Sequence, residues 1–318
     1  MKTIRFGILG NASIARGQMI PGLKLSKHCE LAAIASRSEV PADLEPEVKH
    51  YSSYEALLSD PDIDAVYIPL PNALHCKWAI AAMEKGKHVL CEKPIAMNEQ
   101  EAREMFACAE KNNVKLMEAF MYRHSPKTLK ALELVKAGAI GSIRHAHAHH
   151  GYTLNWDSPA RQDKTLGGGS VYDVGCYCVS LVNLLLGAQG AKPAEVTAVF
   201  NMTEAGYDEH TIATVRYDNG ALATLESWFD AAGDQRAFFV GEKGTLEIPR
   251  FPSGGKDVII LTNQDGRQEI EVEGVAHLFA CEADNLALAI HGEAELLVSA
   301  GETIANMNTM DRIHALRP

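Results

Sequence analysis

The sequence Gly7-Ile8-Leu9-Gly10-Asn11-Ala12-Ser13-Ile14-Ala15 follows the first apolar segment of the chain and fixes how the N-terminal part folds. Small residues stand at Gly10, Ala12 and Ala15, with the spacing of the glycines in GxGxxG. Small side chains at these places let backbone N–H groups and the start of the next helix approach a pyrophosphate. Because two of the three glycines are replaced, an ordinary tight strand-to-helix turn is an equal reading.

Short apolar runs and helical patterns alternate from residue 1 to about residue 120. This alternation predicts a doubly wound parallel sheet with helices on both faces, an α/β dinucleotide-binding Rossmann domain over residues 1–121. The predicted strands are 3–9, 31–36, 65–69, 88–91 and 115–119, and the predicted crossover helices include 74–84 and 98–111.

The pattern changes after Tyr122, where a helix at 126–137 is followed by many strand-like segments. Asp218-Asn219-Gly220 is a hairpin turn signal between two of them, because Asn and Gly tolerate positive φ. We predict an α+β domain over residues 122–318 with a large, mostly antiparallel sheet. Its predicted strands are 143–152, 194–201, 211–217, 221–228, 236–240, 245–248 and 258–262, and helices are predicted over 277–291 and 299–316.

Composition narrows the class of protein. The 318 residues carry a net charge of −11, which argues against a general nucleic-acid binder. No apolar run approaches the roughly 20 residues of a membrane span, and glycine interrupts the N-terminus before a signal segment can develop. Seven cysteines without CxxC spacing are typical of reduced thiols in a cytoplasmic protein, and they offer no zinc site.

Ser36-Arg37-Ser38 follows the second predicted strand, where NAD-specific proteins usually carry an acidic residue against the ribose. A guanidinium between two hydroxyls suits a 2′-phosphate instead, so the segment favours NADP, with NAD as an alternative. A solvated surface arginine is the other interpretation.

Cys91-Glu92-Lys93-Pro94 ends the fourth predicted strand, at the carboxyl edge where open α/β sheets bind ligands. Lys93 is either a solvated cation or a group that binds a substrate oxygen and lowers the pKa of a neighbouring acid. Glu92 either fixes the Lys93 amine or caps the turn. Pro94 stiffens the turn and is a candidate for a cis peptide.

A second candidate segment runs from Gly167 to Tyr177 and reads GGGSVYDVGCY. The three glycines indicate close backbone approach before a helix that carries Asp173 and Tyr177, four residues apart and so on one face. Tyr177 is then a candidate general acid/base and Asp173 a group that orients the substrate or Lys93. A core tyrosine beside a helix-start aspartate is the alternative.

Alternating histidines and a tryptophan can each be explained by a structural role. His145, His147 and His149 alternate along a predicted strand, which we interpret as a polar sheet face or part of a subunit interface rather than a metal site. Trp156 either lines a sugar pocket by stacking or belongs to the core or its rim.

Six segments taken together carry a resemblance to a known family. They are 10–15 (GNASIA), 36–38 (SRS), 69–75 (PLPNALH), 92–94 (EKP), 118–123 (EAFMYR) and 167–177. At these residues the chain resembles, almost end to end, the glucose–fructose oxidoreductase and inositol dehydrogenase (Gfo/Idh/MocA) family. Within it, the likeness is to dimeric dihydrodiol dehydrogenases and NADP-dependent xylose dehydrogenases.

The resemblance implies an open C-terminal sheet that serves as a dimer interface, and Lys93 and Tyr177 as the proton-handling pair. Arg161 matches an arginine of the family close to the site, whereas residues 154–165 depart from the family pattern and leave the substrate open. The cofactor-binding positions are then Gly10, Asn11, Ala12, Ser13, Ile14, Ser36, Arg37, Ser38, Leu70, Asn72, His75, Glu92, Lys93 and Arg123, with Glu118 nearby. The substrate-binding positions are Trp156, Arg161, Asp173 and Tyr177.

We therefore expect a cytoplasmic NADP-dependent oxidoreductase that transfers a hydride between nicotinamide and a CH–OH carbon of a sugar or cyclic diol. An NADPH-dependent reductase of keto sugars or dicarbonyls is the alternative among enzymes. A nucleotide-sensing binding protein without turnover is the alternative outside them. The expected partners are a small-molecule substrate and further copies of the chain, in a homodimer or a higher homo-oligomer joined through the C-terminal sheet, with no nucleic acid, membrane or metal.

Overall fold

A computed structural model of the protein describes residues 1–36, 45–155, 159–252 and 258–318. The chain forms two compact units. The first contains residues 1–124 and 275–300, and the second contains residues 125–274 and 301–318. These units differ from the predicted domains 1–121 and 122–318, because residues 275–300 belong to the first unit.

A six-stranded sheet is the centre of the first unit, and all its neighbouring strands are parallel. The strand order β3-β2-β1-β4-β5-β6 is that of a Rossmann sheet, which confirms the predicted fold of this unit. The strands are β1 (Ile4–Leu9), β2 (Cys29–Ala35), β3 (Lys49–Tyr51), β4 (Ala65–Ile68), β5 (His88–Glu92) and β6 (Leu116–Ala119).

Helices connect these strands, and polar side chains fix where two of them begin. Ser53 accepts a hydrogen bond from the Ala56 amide at the start of α2, and Asn98 does the same for the Glu101 amide at the start of α4. The helices are α1 (Ile20–Leu25), α2 (Tyr54–Leu58), α3 (His75–Glu84) and α4 (Glu99–Lys111), with a π-helical turn at Ala15–Met19 and 3₁₀ turns at Asn72–Leu74 and Met121–His124.

Residues 275–300 join the first unit because their helix carries a buried apolar stripe. Phe279, Ala283 and Leu286 are buried at helical spacing, as a surface helix needs to cover a sheet. This helix, Leu278–Ile290, is called α8 below because three more helices of the second unit precede it.

The second unit is built on an eight-stranded sheet of order β14-β13-β12-β11-β7-β10-β9-β8. Among the described strands of this second sheet, only β7 and β10 pair in parallel, so the predicted mostly antiparallel sheet is confirmed. Its strands are β7 (Ile143–Gly151), β8 (Pro193–Met202), β9 (Asp208–Tyr217), β10 (Leu222–Trp228), β11 (Asp234–Gly241), β12 (Gly244–Pro249), β13 (Val258–Asn263) and β14 (Gly266–Glu271).

One face of this sheet is covered and the other is open. In β9 the side chains of Ala213 and Val215 are buried, whereas Ile212, Thr214 and Arg216 between them are exposed. The helices of the unit are α5 (Pro126–Lys136), α6 (Pro159–Gln162), α7 (Cys176–Gly187) and α9 (Ala300–His314), with a 3₁₀ turn at Lys164–Leu166 and a π-helical turn at Val171–Gly175.

One helical stretch of the described chain, residues 164–187, is long and apolar enough to cross a membrane by length and composition. Within its apolar window 78% is buried inside the protein, as in the core helix of a globular unit. All seven cysteines are free thiols, as predicted from their spacing.

Candidate active site

The loop after β1 has the geometry of a phosphate-binding turn. Gly10 has φ +106°, and a side chain there would meet Leu70 at 3.0 Å, so the loop needs glycine at this position. Residues 13 to 25 are helical, and Ser13 and Ile14 are exposed at the start of that helical segment. An exposed helix start next to a glycine turn suits an anionic pyrophosphate.

Asn11 supplies an independent sign of a ligand at this loop. Its Oδ1 is buried and has no hydrogen-bond partner within the described residues. A buried carbonyl oxygen without a donor is costly, and a nucleotide ligand offers hydroxyl or amide donors to it. The residues present therefore fit a dinucleotide.

Ser36 follows β2 and is buried, with its amide donating to the Tyr51 carbonyl at 3.0 Å. Arg37 and Ser38, which carry the predicted contact to a 2′-phosphate, lie outside the described residues. Trp156 lies outside them as well. These three assignments stay predictions.

His75 links two loops at the carboxyl edge of the first sheet. Its ring nitrogens lie 2.9 Å from the Pro94 carbonyl oxygen and 2.7 Å from that of Leu70. Complete burial, together with the charge of Lys93, lowers the pKa of His75 to about 4, although the two carbonyls favour the charged ring. His75 thereby fixes the Lys93-Pro94 turn, whose peptide bond is cis, against the segment that contains Asn72.

Glu92 is held at the end of β5 by two donors. The Tyr67 hydroxyl donates to its Oε1 in a short hydrogen bond, and the Lys93 amide donates to Oε2 at 3.3 Å. Glu92 and Tyr67 are both buried. Glu92 therefore holds the backbone from which the Lys93 side chain projects, and its contact with the Lys93 amine group stays a prediction.

Glu118 and Arg123 also hold backbone groups of the first unit. Glu118 is buried and accepts a hydrogen bond from the Ile95 amide at 3.0 Å. Arg123 is buried and donates to the Leu297 carbonyl at 2.9 Å. Glu118, expected near the cofactor positions, thus supports the Lys93 turn, and so does Tyr67, which no local sequence pattern identifies.

In the second unit, Asp208 organises the glycine-rich segment. This fully buried carboxylate accepts hydrogen bonds from the Ser170 hydroxyl at 2.9 Å and the Val171 amide at 2.8 Å, and it pairs with Arg317. Gly169 has φ +117°, and a Cβ there would lie 2.1 Å from Asp208 Oδ1. The close backbone approach predicted from the glycines is therefore present.

Asp173 lies in the π-helical turn that follows and receives two donors on one oxygen. The Tyr152 hydroxyl donates to Oδ2 at 2.6 Å, and the Arg161 Nε donates to the same atom at 2.9 Å. The charge of Asp173 raises the pKa of Arg161 above its ordinary value. The structure thus brings together Asp173 and Arg161 and adds Tyr152, which the sequence analysis did not single out.

Tyr177 stands in the first turn of α7 and keeps 9% of its surface exposed. Its ring lies 5.5 Å from that of His150, measured between centroids. Cys178 beside it is fully buried, and burial raises the pKa of its thiol well above the ordinary value, so it does not serve as a nucleophile. Tyr177 is the proton-bearing side chain of this turn that reaches the surface of the unit.

The histidines of β7 have acidic neighbours that the sequence analysis did not foresee. Glu226 on β10 lies 3.7 Å from His147 Nε2 and 3.1 Å from His210 Nε2, and Asp234 on β11 lies 3.3 Å from His149 Nε2. No group of three or more His, Cys, Asp or Glu within the described ranges is arranged to hold a metal ion. The histidines pair with carboxylates on the open sheet face.

Family models match most of the chain. Residues 4–120 match an oxidoreductase family with an NAD-binding Rossmann fold, and residues 128–247 match the GFO/IDH/MocA C-terminal domain. The chain belongs to the GFO/IDH/MocA oxidoreductase family. The resemblance found at the six sequence segments is therefore confirmed.

The chain is similar over much of its length to two enzymes of known activity and to one enzyme of known structure. D-xylose 1-dehydrogenase (NADP(+)) 2 from Haloferax volcanii is 38% identical over 97% of this chain and 96% of its own length. A trans-1,2-dihydrobenzene-1,2-diol dehydrogenase from Xenopus laevis is 38% identical over 67% of this chain and 63% of its own. A 3-ketoreductase from Actinomadura kijaniata, solved with NADP and TDP-benzene, is 29% identical, with a TM-score of 0.89 over 99% of this chain and 98% of that one.

Family membership makes the chain an NAD(P)-dependent oxidoreductase, as the sequence predicted. The first unit carries the nucleotide-binding loop and the Lys93 turn. The second carries Tyr177 with the group of Tyr152, Arg161 and Asp173.

Proposed function

We propose that the protein transfers a hydride between NADP and a CH–OH carbon of a sugar or cyclic diol. The observation that carries the proposal is the similarity, over nearly the whole chain, to an NADP-dependent D-xylose dehydrogenase. Similarity to a dihydrodiol dehydrogenase extends the substrate class to cyclic diols.

The preference for NADP has two supports. The relatives include an NADP(+)-dependent dehydrogenase and a reductase solved with NADP. The sequence that follows β2, Ser36-Arg37-Ser38, has a cation and two hydroxyls where an NAD enzyme usually has a carboxylate. Gly10, Asn11 and the helical segment after them would hold the pyrophosphate.

The cofactor, when bound, supplies or accepts the hydride. The chain itself has to hold the substrate and move one proton. We propose that the Tyr177 hydroxyl gives a proton to the substrate oxygen during reduction and takes it back during oxidation, exchanging it with solvent. The positive charge of Lys93 stabilises oxyanion character at that oxygen.

Asp173 orients the substrate in this proposal. One of its carboxylate oxygens already accepts hydrogen bonds from Tyr152 and Arg161, so the side chain is fixed before the substrate binds. Fixed acceptors of this kind reduce the entropy that has to be lost in the transition state. Structures of the A. kijaniata 3-ketoreductase include variants in which a tyrosine or a lysine is replaced. These are the two residue types proposed here to transfer the proton and to stabilise the oxyanion.

The test is a spectrophotometric screen of the purified protein. NADP and NAD are offered with aldoses, inositols and dihydrodiols, and NADPH is offered with keto sugars and dicarbonyls. We expect turnover with NADP or NADPH that falls by on the order of 10²-fold or more in Tyr177→Phe and Lys93→Met, with nucleotide affinity retained.

Two matched variants control for the loss of a hydroxyl or an amine elsewhere. Tyr207→Phe changes a buried tyrosine of the second unit, and Lys85→Met changes an exposed lysine at the end of α3. Both are expected to keep full turnover. Tight NADPH binding without turnover on any substrate would contradict the proposal and favour a nucleotide-sensing protein.

Reduction of a keto sugar is a second candidate function. It is supported by the structural match to the A. kijaniata 3-ketoreductase and by 30% identity over 93% of this chain to a dTDP-sugar 3-reductase from that organism. The two candidates share the site residues and differ in direction and substrate. Faster turnover with NADPH and a keto sugar than with NADP and any alcohol would select the second.

We also propose that the protein is a cytoplasmic homodimer joined through the open face of the eight-stranded sheet. Val199 and Ile212 pair across β8 and β9, and Leu222 lies on β10; all three are exposed apolar side chains on this face. Exposed apolar groups in one patch mark interaction surfaces. Seven free thiols agree with a reducing compartment.

A further inference from the structure

The interior of the first unit contains a carboxyl group that the proposed mechanism does not use. Glu282, on α8, has no exposed surface. Neither of its carboxyl oxygens has a hydrogen-bond partner within the described residues. Glutamate is rarely buried completely unless it is paired, so this side chain needs a physical account.

The apolar stripe of α8 surrounds Glu282 on its own helix. Phe279 and Leu286 are buried one helical turn before and after it, and Ala283 is buried next to it in the chain. An ionised carboxylate in such surroundings, without donors, is strongly disfavoured, and the group takes up a proton instead.

The elements packed against α8 are α1, β2, β5 and the turns at 15–19 and 121–124. Most of their polar groups are engaged elsewhere. The Cys29 thiol donates to the Ala283 carbonyl at 3.3 Å, the His124 Nε2 lies 3.3 Å from Asn285 Oδ1, Arg123 donates to Leu297, and Lys24 pairs with Glu45. Arg16 lies in the turn at 15–19 and is exposed.

Glu92 is the last residue of β5, a strand that packs against α8, and its charge reaches Glu282. Burial, and then the negative charge of Glu92, raise the pKa of Glu282 well above its ordinary value. The two groups differ in their donors, because Glu92 receives the Tyr67 hydroxyl and the Lys93 amide. Hydrogen bonds of this kind favour the ionised form of the group that accepts them.

We propose that Glu282 and Glu92 form a buried carboxyl pair in which Glu282 holds the proton and Glu92 the negative charge. Glu282 is then a positioning residue, since it keeps a single negative charge behind Lys93. Two neighbouring buried carboxyls do not both ionise readily, and the one without donors stays neutral. The consequence for turnover rests on the proposed function, whereas the protonation state does not.

Infrared difference spectroscopy on the full-length protein without cofactor tests the protonation state directly. The spectrum of the wild type minus that of Glu282→Gln is expected to contain the C=O stretching band of a protonated carboxylic acid at neutral pH. The control is Glu293→Gln, which removes an exposed carboxylate just beyond α8 and gives no such band. Absence of the band from the Glu282→Gln difference would overturn the proposal.

The pairing has its own test in the same spectra. Replacing Glu92 with Gln removes the neighbouring charge, so the Glu282 band is expected to disappear at a lower pH than in the wild type. Loss of the band at the same pH with and without Glu92 would mean that the two carboxyls are not a pair.

Unfolding by urea supplies a test that needs no spectroscopic band. If folding raises the pKa of a carboxyl, the protonated group stabilises the folded protein fully at pH values below its pKa in the unfolded chain. This stabilisation is lost as the pH rises towards the pKa of the same group in the folded protein. The unfolding equilibrium constant of the wild type, relative to Glu282→Gln, is therefore expected to grow about tenfold for each pH unit in that window. Glu282→Met gives the same comparison if the Gln variant does not fold, and a pH-independent ratio in both would overturn the proposal.

The positioning role is read from the pH profile of kcat/KM. In the wild type, ionisation of Glu282 at alkaline pH adds a second negative charge that stabilises the Lys93 ammonium. In Glu282→Gln this charge is absent, so the alkaline decline of kcat/KM is expected at a lower pH. A loss of kcat/KM in Glu282→Gln that is the same at every pH would indicate an effect on packing alone and would overturn the positioning role. If the protonated-acid band is found but the protein turns over no substrate, the proposed function is rejected and the carboxyl pair is retained.

Discussion

The carboxylate of Asp208 leaves no room for a side chain at Gly169. A Cβ at that position would lie 2.1 Å from Asp208 Oδ1, and the backbone there has φ +117°. The other oxygen of the same carboxylate accepts the Ser170 hydroxyl and the Val171 amide. The start of the helical segment that carries Asp173 and Tyr177 is therefore set by a residue distant in sequence.

Gly169→Ala is expected to destabilise the protein by about 3 kcal/mol or more, because left-handed strain and a clash with buried Asp208 add together. The measurement is urea unfolding. Gly190→Ala is the matched control: this glycine also has positive φ, +82°, but nothing lies within 4 Å of an added Cβ. A loss of about 1 kcal/mol is expected there, and equal losses in the two variants would contradict the role of Asp208.

The ion pair between Arg161 and Asp173 predicts coupled effects on turnover. Arg161→Gln removes the Arg161 hydrogen bond to Asp173 and is expected to lower kcat/KM by on the order of 10- to 100-fold through misplacement of the carboxylate. The Arg161 side chain is 47% exposed, so the loss of stability should stay within about 1 kcal/mol.

A double-mutant cycle tests this coupling. Asp173→Asn and Arg161→Gln together are expected to cost little more than the worse single variant, because each removes the same interaction. Arg103→Gln, which breaks an exposed ion pair on α4, is the control and should leave kcat/KM unchanged. Fully additive losses would show that the two residues act independently.

Strands that the sequence predicts share an apolar core pattern, and those it does not predict lack one. β1 and β5 are buried almost throughout, so hydrophobic runs reveal them. β3 reads Lys-His-Tyr at a sheet edge, and β14 reads GRQEIE with nearly every side chain exposed. β3 and β14 are exposed strands held mainly by backbone hydrogen bonds, which leave no hydrophobic signal in the sequence.

The sequence likewise indicates some residues of the candidate site and gives no sign of others. Lys93 and Tyr177 stand in segments with glycine or proline signals, and so the sequence draws attention to them. Tyr152 and Asp208 act over separations of 21 and 37 residues, on Asp173 and Val171, and a single sequence carries no pattern for such contacts. Glu282 is read from sequence as one residue of an ordinary helix, and only its burial reveals it.

Buried histidines predict sensitivity to acid. Burial lowers the pKa of His124 from 6.5 to about 4, although the hydrogen bond to Asn285 acts in the opposite direction and raises it. A depressed pKa contributes stability that is present above the unfolded value and is lost as the pH falls towards the folded value. Between pH 7.5 and pH 5 this group alone is expected to cost about 2 kcal/mol.

The measurement compares urea midpoints at the two pH values for the wild type and His124→Gln. The variant keeps a polar partner for Asn285 and should lose less stability on acidification. His28→Gln, a half-buried histidine before β2, controls for the loss of an imidazole. The same pH dependence in the wild type and in His124→Gln would contradict burial of a neutral ring.

The open sheet face predicts how the chain associates. Val199, on the edge strand β8, is 74% exposed and pairs with Ile212, itself 44% exposed, so a charge at Val199 would stand beside an exposed apolar side chain. If this face joins two copies, Val199→Glu places like charges against each other in an interface and is expected to give monomers in sedimentation velocity, where the wild type gives dimers. Leu25→Glu introduces the same charge at a 56% exposed leucine of the first unit and should remain dimeric. Dimers in Val199→Glu, or monomers in Leu25→Glu, would locate the interface elsewhere.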